Sequence, residues 1–314
     1  MDGQANTLAA TRRFRWDDAP VDSPNAEVLA RLNVSVESYL GGRANRHWLV
    51  RVKGERAVLR RYQDSPQGDI DYELAVLTAL HDRGWPTPIP LAEPVHVQGR
   101  TWAVFRWLPG QPPTTDLTGR GRLLARLHAD TQRLAGMGQR AGCVRAEELV
   151  ADPRLTEALR AYERVAPRAA RIMRWHQESA HEQFGRLDLQ DRHLVVLHGD
   201  FADRNLLYQN GRLTGILDFE ATHLNHRVAE FALAWRGRRD ALVLAYDEVH
   251  PLDDTDWALL APTLWSWAFI GVADAIEQIL SGAVPAHDFD WQVGMLLRRS
   301  PLMGAAQAPY PDPD

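Results

Sequence analysis

The chain of 314 residues has a single cysteine, Cys143. One cysteine forms no disulfide within the chain, and it cannot build a cysteine-based zinc site. The N-terminal stretch lacks the apolar core followed by small residues that marks a secretory signal. Because this cysteine usage also fits a reducing compartment, we expect a cytoplasmic protein without structural disulfides.

Lysine is almost absent. Lys53 is the one lysine among 36 basic residues, and the rest are arginines. Genome base composition is the simplest explanation of this bias. Any site that ordinarily uses a lysine must nevertheless use another residue in this protein.

The sequence also lacks a long uninterrupted apolar run. The most apolar stretch, residues 258–273, contains Pro262 and is followed by Asp274. A membrane-spanning helix needs about 20 consecutive apolar residues. We therefore expect a buried helix with a break near the proline, and no membrane partner.

Positive charge is scarce in one part of the chain. The net charge is −5, but residues 241–314 hold two basic and eleven acidic residues, so the remainder sums to +4. Residues 241–290 contain no lysine or arginine at all. Because a nucleic-acid-binding surface needs clustered basic side chains, we expect no nucleic-acid partner.

The first 108 residues are predicted to form strand, strand, helix, strand and strand. Residues 1–35 show no sustained period, which indicates an irregular arm or a lead-in helix. Two β-rich runs flank Lys53-Gly54, a later pair flanks Gln98-Gly99, and a helical pattern lies between the pairs and ends at Gly84. This predicts a small sheet-rich lobe over 36–108.

From residue 111 onward the pattern becomes mainly helical. The exceptions are a strand at 194–200 and a hairpin over 205–219 that turns at Asn210-Gly211, a strong turn pair. The prediction is an α+β chain with a helical lobe over 111–300 and a loosely ordered tail over 301–314. A cleft between two lobes is the default place for a site.

Two short polar stretches carry the chemistry, HGDFADRN (198–205) and TGILDFE (214–220). Phosphoryl transfer needs cations and accurate placement, and Mg²⁺ takes oxygen ligands such as Asp and Asn side chains. Asp200 is the candidate base for the attacking hydroxyl, and Asn205 and Asp218 are the candidate metal ligands. The hairpin between Asn205 and Asp218 turns the chain back, so that both face one point.

These stretches, extended to VVLHGDFADRN and GILDFEA, resemble the core of the aminoglycoside phosphotransferase and choline-kinase-like family, which is related to protein kinases. The HGD form is similar to the small-molecule branch. The resemblance covers roughly residues 36–280. It implies a bilobal protein-kinase-like fold, with ATP and Mg²⁺ as cofactors and a small-molecule acceptor such as an aminoglycoside, choline, homoserine or another antibiotic or metabolite with a hydroxyl group.

The resemblance also assigns the residues that bind ATP. They comprise a nucleotide-covering loop, the position of the phosphate-binding lysine, its acidic partner, and a hinge near 105–110 whose backbone meets adenine: Gly41, Gly42, Asn45, Arg60, Glu73, Phe105 and Trp107. His198 is expected to brace the catalytic loop rather than to act in catalysis.

Arg60 departs from the family pattern, which has lysine there. Arginine keeps the charge and can bind phosphate through two nitrogens, but it is bulkier and is not equivalent to lysine. The adjacent Arg61 is an alternative, and only one of the two can face the site because side chains alternate along a strand. A solvated strand residue without a role is a further alternative for Arg60.

The acceptor is expected to contact the helical half. Asp247 and Glu248 lie in an acidic stretch, 245–257, that would attract a cationic acceptor, although a solvated loop and a helix start explain the same acids. Asp203 and Glu220 lie next to the catalytic residues and are further acceptor candidates. For Glu220, metal binding or neither role are alternatives.

Two other functions remain open at this stage. A protein Ser/Thr kinase of the same fold is disfavoured because no long activation segment separates Asp218 from the helical run at 226. A nucleotide-binding regulator without transfer is disfavoured because Asp200, Asn205 and Asp218 are all present. ATP versus GTP, the identity of the acceptor and the oligomeric state are left open.

Overall fold

The computed structural model describes residues 23–42, 45–63, 67–189, 194–232, 240–283, 289–298 and Leu302. Residues 1–22 of the expected arm, and all of the expected tail 301–314 except Leu302, lie outside the described residues. The described chain divides into two units. One comprises residues up to 114 together with 202–220, and the other comprises 115–201 and the residues from 221 onward.

The first unit contains an antiparallel sheet of five strands. Its elements are α1 (Ala26–Leu32), β1 (Val34–Gly41), β2 (Arg46–Val52), β3 (Glu55–Arg61), α2 (Gln67–His81), β4 (Val95–Val97) and β5 (Arg100–Arg106). The strands lie in the order β1-β2-β3-β5-β4. This register pairs His47 with Arg60, and Arg60 with Ala103.

Two tight turns fix that register. Lys53 and Gly54 join β2 to β3 with φ of 50° and 87°, and Gln98 and Gly99 join β4 to β5 with φ of 50° and 72°. Two successive positive φ angles match the twist of a two-residue hairpin. Both predicted hairpins are therefore confirmed.

The sheet-rich unit begins earlier than the predicted boundary at residue 36. Val28 and Leu32 on α1 and Val34 on β1 are buried in one apolar cluster with Trp48 and Trp102 of the sheet. Asn25 caps α1 by accepting a 2.9 Å hydrogen bond from the Val28 amide. Residues 26–35 thus form part of this core, because their apolar side chains cover the sheet.

The hairpin of β7 (Leu206–Gln209) and β8 (Arg212–Ile216) groups with the same unit rather than with the helical residues. It turns at Asn210-Gly211, as predicted, with φ of 51° and 74°. Gln111 and Tyr208 exchange two backbone hydrogen bonds of 3.0 and 2.9 Å. This pairing attaches the hairpin to the segment that follows β5.

The second unit is mainly helical. It contains α3 (Leu117–Thr131), α4 (Ala146–Ala151), α5 (Pro153–Tyr162), α6 (Pro167–Gly185), β6 (Leu194–Leu197), β9 (His223–His226), α7 (Asp240–Asp247), α8 (Asp254–Trp267), α9 (Val272–Leu280) and α10 (Asp290–Leu296). β6 and β9 form an antiparallel pair. α3 packs on α7, and α6 packs on α8.

The expected break at Pro262 is wrong, because α8 continues through it to Trp267. An interior proline costs about 3 kcal/mol, but the residues from Leu259 to Ser266 are all buried, and their packing holds the helix. The stretch Asp254–Leu280 is long and apolar enough to pass for a membrane span, yet 67% of its most apolar window is buried inside the protein. Core helices pass the same test.

His176 on α6 lies in a buried aromatic cluster. Its ring centroid is 4.8 Å from that of Trp175 and 5.1 Å from that of Trp265. Nδ1 lies 2.8 Å from the Ile172 carbonyl oxygen and donates to it in the neutral ring. Burial lowers the pKa of His176 to about 4. The imidazole is therefore neutral in the folded protein at neutral pH.

The neutral state of His176 predicts a pH dependence of stability. Between pH 6.5 and about 4 the unfolded chain takes up a proton at this position that the folded chain does not. The contribution of His176 to the free energy of unfolding should therefore fall as the pH drops through this window, by up to about 1.4 kcal/mol per unit, and should be constant above it.

Urea unfolding at several pH values measures this slope. His176→Gln should flatten it relative to the wild type. His181→Gln, an exposed position on the same helix, is the matched control and should leave the slope unchanged. Equal slopes in the two variants would contradict the assignment.

Candidate active site

Arg60 on β3 forms a buried ion pair with Glu73 on α2. Arg60 Nη1 donates to Glu73 Oε1 over 2.7 Å, and the side chains are 7% and 1% exposed. Arg61 lies instead 5.8 and 5.6 Å from the ring centroids of Trp48 and Trp102. The alternation of side chains along β3 thus brings Arg60, and not Arg61, to the acidic residue on α2.

Arg60 has a second carboxylate partner. Its Nη2 donates to Glu220 Oε2 over 2.9 Å. The same oxygen accepts a 2.6 Å hydrogen bond from Asn45 Nδ2, and Asn45 Oδ1 accepts from the Gln63 amide at 3.2 Å. Three sequence segments, at 45, 60 and 220, therefore meet at one carboxylate oxygen within the first unit.

The charges around Arg60 keep it ionised. Burial by itself lowers its pKa, but the charges of Glu73, Tyr62, Glu220 and Asp218 together raise it above the ordinary arginine value. His47, its register partner on β2, has a pKa lowered to about 4 by burial and by the Arg60 charge. The neighbouring imidazole is thus neutral at pH 7 and adds no competing positive charge.

The predicted nucleotide-covering loop connects β1 to β2. Gly41 and Gly42 have φ of 99° and 131°, which L side chains rarely adopt. A Cβ at Gly42 would lie 1.9 Å from the carbonyl oxygen of Asn45. Glycine is therefore required at 42, because any side chain there would collide with the Asn45 backbone. This close approach places the side-chain amide of Asn45 next to Glu220.

The predicted hinge begins at the end of β5 and continues beyond it. Phe105 is buried and pairs with Val58 of β3, while Trp107 is half-buried. Gly110 has a φ of 126°, and a Cβ there would lie 2.6 Å from Thr214 Oγ1. That hydroxyl donates to the Pro109 carbonyl over 2.5 Å. The segment after the strand is thus held by the β7–β8 hairpin.

Asn205 and Asp218 lie at the two ends of that hairpin. The Leu217 amide donates to the Asn205 carbonyl over 2.7 Å, which ties the ends together. Asn205 is 7% exposed, and Asp218 has a φ of 68°, a left-handed conformation that aspartate tolerates better than most residues. The hairpin therefore brings one amide and one carboxylate residue to the same end, as predicted from the sequence.

The rest of the predicted catalytic loop lies in the second unit, after β6. His198 and Asp200 are 1% and 2% exposed. His198 Nδ1 accepts a 3.2 Å hydrogen bond from the Asp200 amide, and its ring lies 5.6 Å from that of Phe201. A Cβ at Gly199, whose φ is 83°, would lie 2.3 Å from the Ala221 carbonyl oxygen. His198 thus holds the loop backbone, consistent with a bracing function.

Glu230 binds the same loop through both carboxylate oxygens. Oε2 accepts from the His198 amide at 2.7 Å, and Oε1 accepts from the Gly199 amide at 2.9 Å. Burial alone would raise the pKa of Glu230, but His128, His198 and the backbone donor hold it below the ordinary value. An ionised, 4% exposed carboxylate therefore fixes the backbone immediately before Asp200.

A buried polar network surrounds Glu230. His128 Nε2 lies 3.6 Å from Glu230 Oε2, close enough to interact electrostatically with the carboxylate, and His128 Nδ1 lies 3.0 Å from the Tyr246 hydroxyl. Burial lowers the pKa of His128 and raises that of the Tyr246 hydroxyl, so both are neutral. Tyr246 on α7 and His128 on α3 thus pack around Glu230, which binds the loop.

Most acids of the acidic segment have structural partners in the second unit. Asp247 accepts from the Leu252 amide at 2.8 Å, and Glu248 forms an exposed 2.7 Å ion pair with Arg122. Asp253 caps α8, as the helix-start pattern predicted. Asp256 pairs with buried Arg227. Whether Asp247 or Glu248 contacts an acceptor stays a prediction, and these bonds compete with that role.

Asp203 is the other acceptor candidate beside the catalytic loop. It begins a single 3₁₀ turn, Asp203–Asn205, and its side chain is half-buried. Its acceptor role stays a prediction as well. Glu220, by contrast, lies among the predicted nucleotide-binding residues, where it bonds Arg60 and Asn45.

Comparison with known proteins identifies the family. The phosphotransferase enzyme family matches residues 35–262, more than half of the chain. The chain belongs to this family. A homoserine kinase from Phenylobacterium zucineum (strain HLK1) is 25% identical over 272 residues, which cover 76% of this phosphotransferase and 80% of that protein.

Solved structures share the fold. An amicoumacin kinase in complex with AMP-PNP, Ca²⁺ and Ami superposes with a TM-score of 0.59 at 14% identity, covering 82% of this chain and 86% of that one. A thermostable mutant of aminoglycoside phosphotransferase APH(4)-Ia, in a ternary complex with AMP-PNP and hygromycin B, gives 0.58 at 16% identity, with 86% and 94% covered.

These findings confirm the predicted α+β, protein-kinase-like fold and the enzyme class. The protein is a phosphotransferase that acts on the hydroxyl groups of small molecules. Glu230, which lies in the run VAEFALAW, was not predicted from the sequence. A single acid inside an apolar run is costly to bury unless it is bonded, and that is the signal by which it could have been found.

Glu230→Gln tests the support of the catalytic loop. The amide retains one acceptor oxygen, so one of the two backbone N–H groups loses its partner and faces an NH₂ group. The free energy of unfolding should fall by about 2 kcal/mol, the typical cost of such a buried loss, and hydrogen exchange at the amides of His198 and Gly199 should accelerate.

Glu157→Gln, an exposed position on α5, is the matched control and should change neither quantity. If Glu230→Gln unfolds at the same urea concentration as this control, the two hydrogen bonds do not fix the loop.

Proposed function

We propose that the protein is an ATP- and Mg²⁺-dependent kinase that transfers the γ-phosphate of ATP to a hydroxyl of a small, amino-acid-like molecule. The observation that carries the proposal is the buried Arg60–Glu73 ion pair, at 2.7 Å, in the same unit as Asn205 and Asp218. An ion pair between a cation on the third strand and an acid on the following helix is the arrangement that phosphate binding requires in this fold.

Each residue has a distinct function in this mechanism. Arg60, oriented by Glu73, binds phosphate oxygens through a planar fork of N–H groups. Asp200 accepts the proton of the attacking hydroxyl, and the bonds from His198 and Glu230 to the loop backbone hold its position. The loop of Gly41, Gly42 and Asn45 covers the nucleotide.

The residues present fit a Mg²⁺ ion. Asn205 and Asp218 offer oxygen donors at the tied ends of one hairpin, and oxygen is the ligand type that Mg²⁺ prefers. Within the described part of the chain, no group of three or more His, Cys, Asp or Glu residues could hold a metal by itself. That suits an ion bound by one carboxylate, an amide and nucleotide phosphates. When bound, the ion neutralises phosphate charge.

Asp200→Asn tests the proton acceptor. Turnover should fall by roughly 10²–10⁴-fold, the usual worth of a general base, while the dissociation constant for Mg-ATP should hardly change. Asp82→Asn, an exposed change of the same kind, should retain full turnover. Chelation of divalent cations should abolish transfer by the wild type. Undiminished turnover in Asp200→Asn would refute the assignment.

The proposed acceptor class rests on two observations. The homoserine kinase relative is 25% identical over most of both chains. In addition, four acids of the acidic segment 245–257, and two more on α9, already bond basic side chains or backbone amides: Asp247, Glu248, Asp253 and Asp256, with Asp274 and Glu277. A polycationic acceptor would therefore meet compensated rather than available carboxylates. We infer a zwitterionic acceptor of the homoserine type.

Phosphoryl transfer to a panel of acceptors tests this inference. Homoserine and related hydroxy amino acids should be phosphorylated with a kcat/KM at least about 100-fold above that for aminoglycosides, a difference of about 2.7 kcal/mol in transition-state binding. Choline, neutral sugars, macrolides and a generic protein complete the panel, with ATP and GTP as donors. Preferential turnover of aminoglycosides would overturn the acceptor class and leave the kinase assignment intact.

A further inference from the structure

Arginine at position 60 requires more partners than lysine would. A lysine presents one compact ammonium group, whereas a guanidinium is a planar fork with five N–H donors. Lys53 cannot take its place, because it lies exposed in the turn between β2 and β3. The structure must therefore orient a larger cation than the family's usual one.

Two carboxylates from different segments hold this fork. Nη1 bonds Glu73 on α2, and Nη2 bonds Glu220, two residues after Asp218. Tyr62 lies beneath the guanidinium, with its ring centroid 4.6 Å from Cζ. Arg60 is only 6% exposed. Both terminal nitrogens that would meet a phosphate are thus already bonded to internal anions.

Glu220 is itself held in this position. Asn45 Oδ1 accepts from the Gln63 amide, which sets the orientation of the Asn45 amide and directs Nδ2 to Glu220 Oε2 at 2.6 Å. The carboxylate oxygen thus accepts from Asn45 and Arg60 together. The contact between Glu220 and Arg60 is therefore a built arrangement and not a chance surface pair.

Several carboxylates act on this one guanidinium. The charges of Glu73, Glu220 and Asp218 all raise the pKa of Arg60. A nucleotide without a divalent cation adds further negative charge and competes with Glu220 for the same nitrogens. A nucleotide complexed with a divalent cation adds much less, because the cation offsets both the phosphates and the carboxylates.

We propose that Glu220 is a specificity-determining residue that makes nucleotide binding depend on the divalent cation, by occupying Arg60 against metal-free nucleotides. The inference rests on the proposed function of Arg60 in phosphate binding. It assigns Glu220 to the nucleotide and not to the acceptor, and it gives Asn45 the function of holding Glu220 on Arg60.

The test is the ratio of two dissociation constants for AMP-PNP, one in excess EDTA and one in excess Mg²⁺, measured by calorimetry on the full chain. In Glu220→Gln this ratio should fall about tenfold relative to the wild type, the equivalent of one charge-assisted hydrogen bond. The fall should come mainly from tighter binding in EDTA. Glu93→Gln, which removes an exposed charge from the same unit, should keep the wild-type ratio.

Asn45→Ala separates competition from simple charge. It retains every carboxylate but releases Glu220 from its second partner. The ratio should fall in the same direction, by about threefold, because the contact with Arg60 weakens while the net charge stays constant. This variant also keeps the proposal testable if Glu220→Gln does not fold, which circular dichroism reports.

The outcomes distinguish the inference from the proposed function. A wild type that binds no AMP-PNP in Mg²⁺ overturns both. Binding in Mg²⁺, with a ratio in Glu220→Gln equal to that in Glu93→Gln, leaves the kinase assignment and refutes the function of Glu220. A ratio in Asn45→Ala equal to that of the wild type refutes the competition for Arg60.

Discussion

The buried charge of Arg60 is the constraint on which the sheet-rich unit depends. A guanidinium that is 6% exposed must be paired, since an unpaired buried charge costs several kcal/mol. Its partners come from α2 and from the end of the β7–β8 hairpin, so one side chain links the sheet, the helix and the hairpin. Hairpin residues far away in sequence thereby join the same unit as the first 114 residues.

A buried carboxylate, Glu230, links segments of the helical unit as Arg60 links those of the sheet-rich unit. Glu230 accepts hydrogen bonds from the two backbone amides that precede Asp200. It lies among His128, Tyr246 and the catalytic loop. Both units thus use the same physical device: a buried ionised group with good hydrogen bonds that fixes a short polar segment. Segments bonded in this way lose little entropy on ligand binding, which favours accurate placement of reacting groups.

Local sequence determined much of the fold. Three turn pairs, Lys53-Gly54, Gln98-Gly99 and Asn210-Gly211, each have a glycine at positive φ, the conformation that glycine adopts at little cost, so the hairpins follow largely from local chemistry. The HGD stretch and Asp218-Phe219 indicated the family because the distance between them in sequence is set by the β7–β8 hairpin. The prediction of a break at Pro262 was wrong because packing around α8 outweighs the cost of the proline. Local propensity carries no information about that packing.

Tertiary structure alone decided which polar residues meet. Arg60 and Arg61 are the same residue type at adjacent positions. Their environment in the folded chain, above all the position of α2, makes Arg60 the partner of Glu73. Glu220 lies 160 residues from Arg60 and 175 from Asn45, so no local pattern could assign its partners. Likewise, the sequence left open whether the acids near residue 250 attract a cationic ligand or have structural functions, and their bonds to Arg122 and Arg227 form only in the folded chain. Charge is fixed by the sequence, whereas its compensation depends on long-range contacts that only folding creates.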